Sequence, residues 1–464
     1  MLQDIISKYK SGFTSYTELR AQFNSTYSLE LSEEGILVES HAGKGGVSAR
    51  IFENGAFGFA ASGTYDDAHV LRVLEMAKRN AAAMSRYAKN RRPNLPSAIS
   101  GQIPINYAVR PMDAPALRAA AEELKRYAET KYAPVKASVS MGNDTSEKLL
   151  VVHNGCDGRS NVVLGYISVT LEREGSCGNP VSAWGKLAID TYLMDALSPQ
   201  KLYAIVDEAH EKLLKALSED KNEKVSPDGG VWDCILSPEF TGMLAHEAVG
   251  HTCEADAVIA KDSIAAAFMG KQVASELVSL TDFAYAAYGE NCPIPLHIDD
   301  EGIACKDAPI IKDGILVGCM NNRDTAERLG IEPTGNARAS EYYDEPIIRM
   351  RNTCFLPGTS TLADMIASID KGYYLTRSGG GNGSLKGEFN MIVSEGYEII
   401  KGKLGRPIRD TISAGIAWDA LKTVDMVSSN FQNSKDCGIC GKKQSIPTSQ
   451  GGPEMKLMLN IGGN

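Results

Sequence analysis

Residues 240–251 read FTGMLAHEAVGH, an apolar helical segment that ends in two histidines around a glutamate. Phe240, Met243, Leu244, Ala248 and Val249 would bury the polar trio His246, Glu247 and His251 in a core. Buried imidazoles and carboxylates need partners, and a metal ion supplies them. Neutral imidazole binds Zn²⁺ well, and a glutamate outside the ligand set can take a proton from the attacking water. The familiar metallopeptidase spacing, H-E-x-x-H, puts both histidines on one helical face. Here the second histidine comes one residue later. At about 100° per residue, positions i and i+5 lie roughly 140° apart on a regular α-helix, too far to share a small ion. A π-type turn closes that angle, and such bulges cluster at functional sites. Gly250, directly before the second histidine, is where the distortion is expected. The stretch is therefore either a metal site on a bent helix or no site at all.

The whole chain has 464 residues, long for one core, which points to two or three domains. Hydrophobic content of 43% and charged content of 23% are those of an ordinary soluble protein. A net charge of −10 argues against a general nucleic-acid binder. No apolar run approaches the ~18 residues that would span a membrane. The start, MLQDIISKYKSGF, lacks the layout of a cleavable signal and reads as an amphipathic first helix. A cytoplasmic location is expected. Of the ten cysteines, only Cys437 and Cys440 stand close together, in CGIC. In a reducing compartment this C-x-x-C is half a structural zinc site, a redox motif, or a source of one ligand for the histidine metal.

Read in order, 29–62 alternates like a strand meander with turns at 33–35, 43–46 and 53–55, and helices follow over about 64–88 and 114–132. A Pro-containing connection separates these two helices at 91–112. Strand-like runs at 135–141, 147–153 and 161–173 precede a helix at about 199–217. The charged, then Pro- and Gly-containing stretch 218–230 is the best boundary, dividing 1–222 from 223–464. The VWDCILSPEF stretch is a buried strand feeding the motif helix, and MKLMLNIGGN is a closing strand. The stretch 331–358 is irregular and polar, and reads as an active-site lining or a long surface loop. Elements come in blocks with many antiparallel turn signals, so the fold class is α+β. Two domains with mixed, largely antiparallel sheets are expected, the motif helix lying in the second. The glycine-rich RSGGGNGSLKGEF (377–389) matches no phosphate-binding pattern. It is a flexible turn, or a place where another backbone comes close, as an extended peptide would beside a sheet edge.

These pieces together resemble the TldD/PmbA family of metallopeptidases, in particular its metal-bearing TldD branch. The matching stretches run in order: HEAVGH at 246–251, IDDEG at 298–302, PTGNAR at 333–338, RMRNTCFLPG at 349–358, GGG at 379–381 and GICGK at 438–442. ENGAFGFAAS at 53–62 is similar as well. The resemblance implies a two-domain α+β protein that acts on unfolded peptides within an enclosed chamber. It implies assembly as a homodimer or as a heterodimer with a PmbA-type subunit. Carried over by position, His246 and His251 are zinc ligands, Glu247 is the general base and Cys440 is the third ligand. After Cys440 the chain departs from the family pattern, with KQS and PTSQGGP.

The resemblance selects Cys440 over Cys437. Cys253, although nearest in sequence, would point about 200° away from His251 if the helix continued. A His₂Cys set with one open position is a known catalytic zinc arrangement. The expected activity is metal-dependent hydrolysis of extended peptides, with Gly379, Gly380 and Gly381 at the substrate edge. Two other readings are a peptide-binding subunit without turnover and a hydrolase of a modified amide. Retention of Glu247 argues against the first of these, because holding a metal needs no base.

Overall fold

The computed structural model describes residues 5–88, 95, 113–155, 157–175, 178–189, 197–220, 224–433 and 438–462. Its first half is built on β1 (Tyr16–Leu31), β2 (Leu37–Glu53), β3 (Ala56–Ser62), β4 (Lys136–Val152), β5 (Gly158–Glu174) and β6 (Pro180–Ile189). They form one antiparallel sheet in the order β3-β2-β1-β4-β5-β6. Helices α1 (Asp67–Met84), α2 (Ala114–Lys131) and α3 (Pro199–Asp220) supply the apolar cover. Each of the first two starts on an aspartate cap: Asp66 accepts from the His69 N–H, and Asp113 from that of Ala116. Their buried stripes, Val70-Val73-Ala77-Ala81 and Leu117-Ala121-Leu124-Ala128, follow helical spacing.

Alternation along β1 explains the sheet's two faces. Leu19 and Ala21 point into the helix-covered core, so Glu18, Arg20 and Gln22 point the other way, yet all three are buried. The C-terminal half covers them. Arg50 bridges Glu18 (3.3 Å) and Glu301 (2.8 Å), Lys148 pairs with Asp300 (2.7 Å), and Gln22 donates to the Ser340 carbonyl (2.6 Å).

The second half contains β7 (Gly230–Leu236), α4 (Pro238–Leu244), β8 (Leu280–Phe283), β9 (Ala308–Lys312) and β10 (Asn352–Phe355). Then come β11 (Lys371–Gly383), β12 (Glu388–Ile400), β13 (Thr411–Ile416), β14 (Gly438–Lys442), β15 (Gln444–Gly452) and β16 (Met455–Ile461). Pairing closes a ring: β11 beside β7, then β16, β13, β12 and back to β11. A second sheet runs β9-β8-β10-β15, with β14 folded against β15 as a ribbon. The α+β class, with several largely antiparallel sheets, is the one expected.

Some elements differ from the sequence reading. The first helix is a short 3₁₀ turn, Ser7–Gly12. No turn interrupts 43–46; these residues lie inside β2, where Gly43 and Gly45 leave room for Phe23 and Tyr65. A Cβ at Gly45 would sit 1.7 Å from the Tyr65 hydroxyl. The two runs at 135–141 and 147–153 are one strand, because the polar residues between them continue the ladder with β1. Nearly all of 91–112, and Cys437, fall outside the described residues. No helix among the described residues is long and apolar enough to cross a membrane.

Candidate metal centre

β7 runs buried into α4, which starts at Ser237, whose side chain accepts from the Phe240 N–H. The chain then passes without a break into a π-helical turn, Ala245–Gly250, and a 3₁₀ turn, His251–Cys253. The π turn is what brings two histidines five residues apart onto one side. Their rings stand 5.1 Å apart, nearly perpendicular. Gly250 has φ −53, an ordinary helical value, so backbone freedom is not its reason. A Cβ there would come within 2.2 Å of Met350 Sδ, and close packing is what it serves.

Cys440 arrives from the far end of the chain on β14. Its Sγ lies 3.4 Å from His251 Nε2. One ligand atom from each of His246, His251 and Cys440 lies within 4.8 Å of the other two. Nδ1 of His246 is buried without a hydrogen-bond partner. Two nitrogens and a sulfur, one nitrogen of the same imidazole orphaned, are a donor set that fits zinc. Cys253 takes no part; it packs in the core beneath, where burial pushes its thiol up to about 12.

Electrostatics separate the three candidate ligands. Burial, with smaller effects of His251 and Arg349, drives His246 down to about 3, so it is a neutral imidazole. Burial also acts to lower His251, but its contacts with Cys440 and Glu254 outweigh this and raise it to about 10. Burial would raise Cys440, yet His251 and Arg349 bring its thiol below its ordinary value. Glu247 is half-buried, and burial raises its carboxyl against the opposing effects of His251 and the Gly383 N–H.

Several groups that support the site carried no signal in the motif itself. Glu254 is 1% exposed, and its Oε1 lies 3.9 Å from His251 Nδ1. Lys442, two residues after Cys440, binds the other Glu254 oxygen at 2.8 Å. A carboxylate behind an imidazole is the arrangement that supports a metal-bound histidine in other proteins. The one available sequence cue was its position three residues after His251. Arg349, fully buried, donates to the carbonyls of Cys440 (2.6 Å) and Gln444 (2.9 Å), holding the ribbon over the histidines. The irregular stretch 331–358 is no plain surface loop: Asn336, Arg338, Arg349 and Arg351 are all buried, and Arg349 reaches the ribbon that carries Cys440.

The glycine-rich stretch is not a flexible turn. Gly379, Gly380 and Gly381 lie within β11, paired to β12 with register shifts, and Gly380 has φ +116. β7 accompanies β11 only from Gly372 to Leu375. Beyond that point, among the described residues, no strand pairs with this edge. Gly383 makes the closest approach to the motif: a Cβ there would fall 1.8 Å from the Glu247 carbonyl oxygen.

Residues 229–463 match the model of the PmbA/TldA metallopeptidase C-terminal domain. A metalloprotease TldD homolog of Haemophilus influenzae is 31% identical over 469 residues, spanning 97% of this chain and 93% of that one. The chain belongs to the TldD/PmbA family. A zinc metalloprotease TldD homolog of Saccharolobus solfataricus is 34% identical over 240 residues, and that match spans about half of each chain. The fold matches the crystal structure of TldE from Thermococcus kodakarensis with a TM-score of 0.72 at 17% identity, covering 98% of both chains. The histidine–cysteine cluster therefore lies in a chain of a metallopeptidase family, one relative of which is named for zinc.

Proposed function

We propose that this chain is a zinc-dependent peptidase that hydrolyses unfolded or extended peptides, with His246, His251 and Cys440 as ligands and Glu247 as general base. The observation that carries this reading is the convergence of three ligand atoms beside a half-buried carboxylate that the metal does not need. Zinc, when bound, supplies Lewis acidity toward the scissile carbonyl and acidifies the attacking water. Glu247 takes the proton from that water and returns it to the leaving amine. Burial raises its proton affinity, which suits a base that must hold the proton between the two events. Close packing of the Gly383 backbone on the Glu247 backbone supports the placement of this residue.

Substrate is assigned to the edge of β11 past Leu375, where Gly379, Gly380 and Gly381 present backbone without side chains. Pairing through backbone hydrogen bonds selects an extended chain rather than a sequence, and a folded protein has no free strand to offer. Division of the chain at 222/223, assembly as a homodimer or with a PmbA-type subunit, and a cytoplasmic location belong to the same proposal. The test is mass spectrometry of a mixed pool of unstructured peptides incubated with zinc-loaded protein and with Glu247→Gln. We expect new cleavage products only with the wild type, and zinc content near wild type in the variant. No products from either protein, or equal products from both, would overturn the reading.

A further inference from the structure

The start of β11 and the end of β12 wall a cavity of about 560 Å³, closed by the 224–228 and 406–409 segments. Lys371 at this cavity and Gly383, which lies against Glu247, are the two ends of β11. Roughly 40 Å of strand separates them at about 3.3 Å per residue. Lys371 stands opposite Ile400 and Tyr373 opposite Glu398, so these four side chains share the sheet face that floors the cavity. The two covering segments are tied to each other through backbone. The Val225 N–H donates to the Pro407 carbonyl (3.0 Å), and the Arg409 N–H donates to the Val225 carbonyl (2.9 Å). Arg409 Nε also donates to the Lys224 carbonyl (3.3 Å), which holds its guanidinium against that segment.

Charge sets this cavity apart. Four cations line it, Lys224, Lys371, Arg406 and Arg409, against two carboxylates, Asp228 and Glu398. Each carboxylate already has its cation: Lys371 binds Asp228 (2.8 Å) and Arg406 binds Glu398 (3.0 Å). Among the described residues, no carboxylate lies within ion-pairing distance of Lys224 or Arg409. Four cations less two carboxylates leave the lining with two positive charges, in a chain whose net charge is −10. Tyr373 adds a neutral donor. It is 4% exposed, its hydroxyl accepts from the Asp228 N–H (2.9 Å), and its own O–H donates to no group among the described residues. Burial raises this hydroxyl above its ordinary value, so it keeps its proton at neutral pH.

We infer that this cavity is a second binding site, distinct from the metal centre, for a phosphate dianion, free or carried on a small polar molecule. Lys224 and Arg409 supply its counter-charge and Tyr373 a further donor. A phosphate monoester fits the count, with about two negative charges and three strong acceptor oxygens at neutral pH. A guanidinium grips phosphate oxygens as a fork, and a lysine ammonium acts beside it as a point charge. The volume lies in the range of small-molecule sites, and Ser226 with the two ion pairs suits a hydroxyl-rich body better than an apolar one.

Isothermal titration calorimetry on the zinc-loaded full chain, at constant ionic strength, tests this with inorganic phosphate, glucose 6-phosphate, glucuronate and glucose. The phosphates should bind about tenfold or more tightly than glucuronate, which carries one charge, and than glucose, which carries none. Comparing the first two ligands shows whether the free ion or an ester fills the site. Lys224→Gln combined with Arg409→Gln should lose about tenfold or more in affinity for both phosphates, with zinc content unchanged. Should that double variant fail to fold, Lys224→Glu alone, at an exposed position, brings a like charge to the ligand and should weaken the same binding. Lys78→Gln, on the exposed face of α1, removes a charge elsewhere and should bind as the wild type does. Binding should persist in Glu247→Gln and after zinc is removed, which separates this site from the proposed catalytic one. Equal binding of glucose and its phosphate, wild-type affinity in the folded cavity variants, an equal loss in Lys78→Gln, or binding that disappears with zinc would overturn the inference.

Discussion

At the scale of single residues, ligand identity and the groups behind it make separate predictions. Cys440→Ser should lose zinc during dialysis against a weak chelator, whereas Cys253→Ser should keep it, because among the described cysteines only Cys440 stands with the two histidines. Metal analysis by atomic emission reads both, and the reverse pattern would sink the ligand assignment. Thiolate and imidazole must shed their protons to bind a metal, so affinity should also weaken as pH falls. Glu254 is the less obvious case. One of its oxygens faces His251 Nδ1 without a hydrogen bond of its own, and Lys442 holds the other. Glu254→Gln should cost about 10–100-fold in zinc affinity, the range typical of such supporting partners. Competition with a fluorescent chelator measures this, and an unchanged affinity would reduce Glu254 to a packing role.

At the scale of elements, the site depends on a helix and a strand approaching to backbone contact. The π turn supplies the histidine geometry, and Gly383 lets β11 lie against the Glu247 carbonyl. Gly383→Ala must push the two apart and should cost about 1–3 kcal/mol. Gly441→Ala is the control, since a Cβ there meets nothing within 4 Å, and should stay within about 0.5 kcal/mol of wild type. Equilibrium urea unfolding of the two variants decides, with equal stabilities counting against the close-approach argument. The strand assignments show the same theme from the other side. Gly43, Gly45 and Gly142 look like turn residues in sequence, but each is a gap filled by an aromatic side chain within a long strand.

At the scale of the whole molecule, the joint between the two halves is charged and buried. Glu18, Arg50 and Glu301 link the first sheet to the 298–302 turn, and none is more than 4% exposed. Burial raises Glu18 from its ordinary 4.5 to about 7, against the attraction of Arg50. Between those values the folded state holds the proton that the unfolded state has already released. Its contribution to stability is therefore full below about pH 4.5 and is lost as pH rises through about 7. Glu18→Gln should flatten that part of the stability profile. Urea midpoints measured from pH 4.5 to 8 check this, and parallel profiles for both proteins would refute it.

The sequence by itself determined whatever depends on local period and residue chemistry. The apolar spacing of 240–251 and the extra residue between the histidines narrowed this stretch to a metal site on a bent helix or no site at all, and the structure has the π turn. Helices were expected at about 64–88, from an acidic start and an apolar stripe, and at 114–132, and the structure has them at Asp67–Met84 and Ala114–Lys131. Tertiary structure decided what depends on distant segments meeting. Nothing local to Cys440 says that Arg349 will hold its strand over His251, nor that Lys442 will complete Glu254. Alternation along β1 shows that Glu18, Arg20 and Gln22 share a face, but in an isolated sheet that face would be solvent-exposed. It is buried because the C-terminal half packs on it, and only the folded chain supplies the opposite charges that make this burial tolerable.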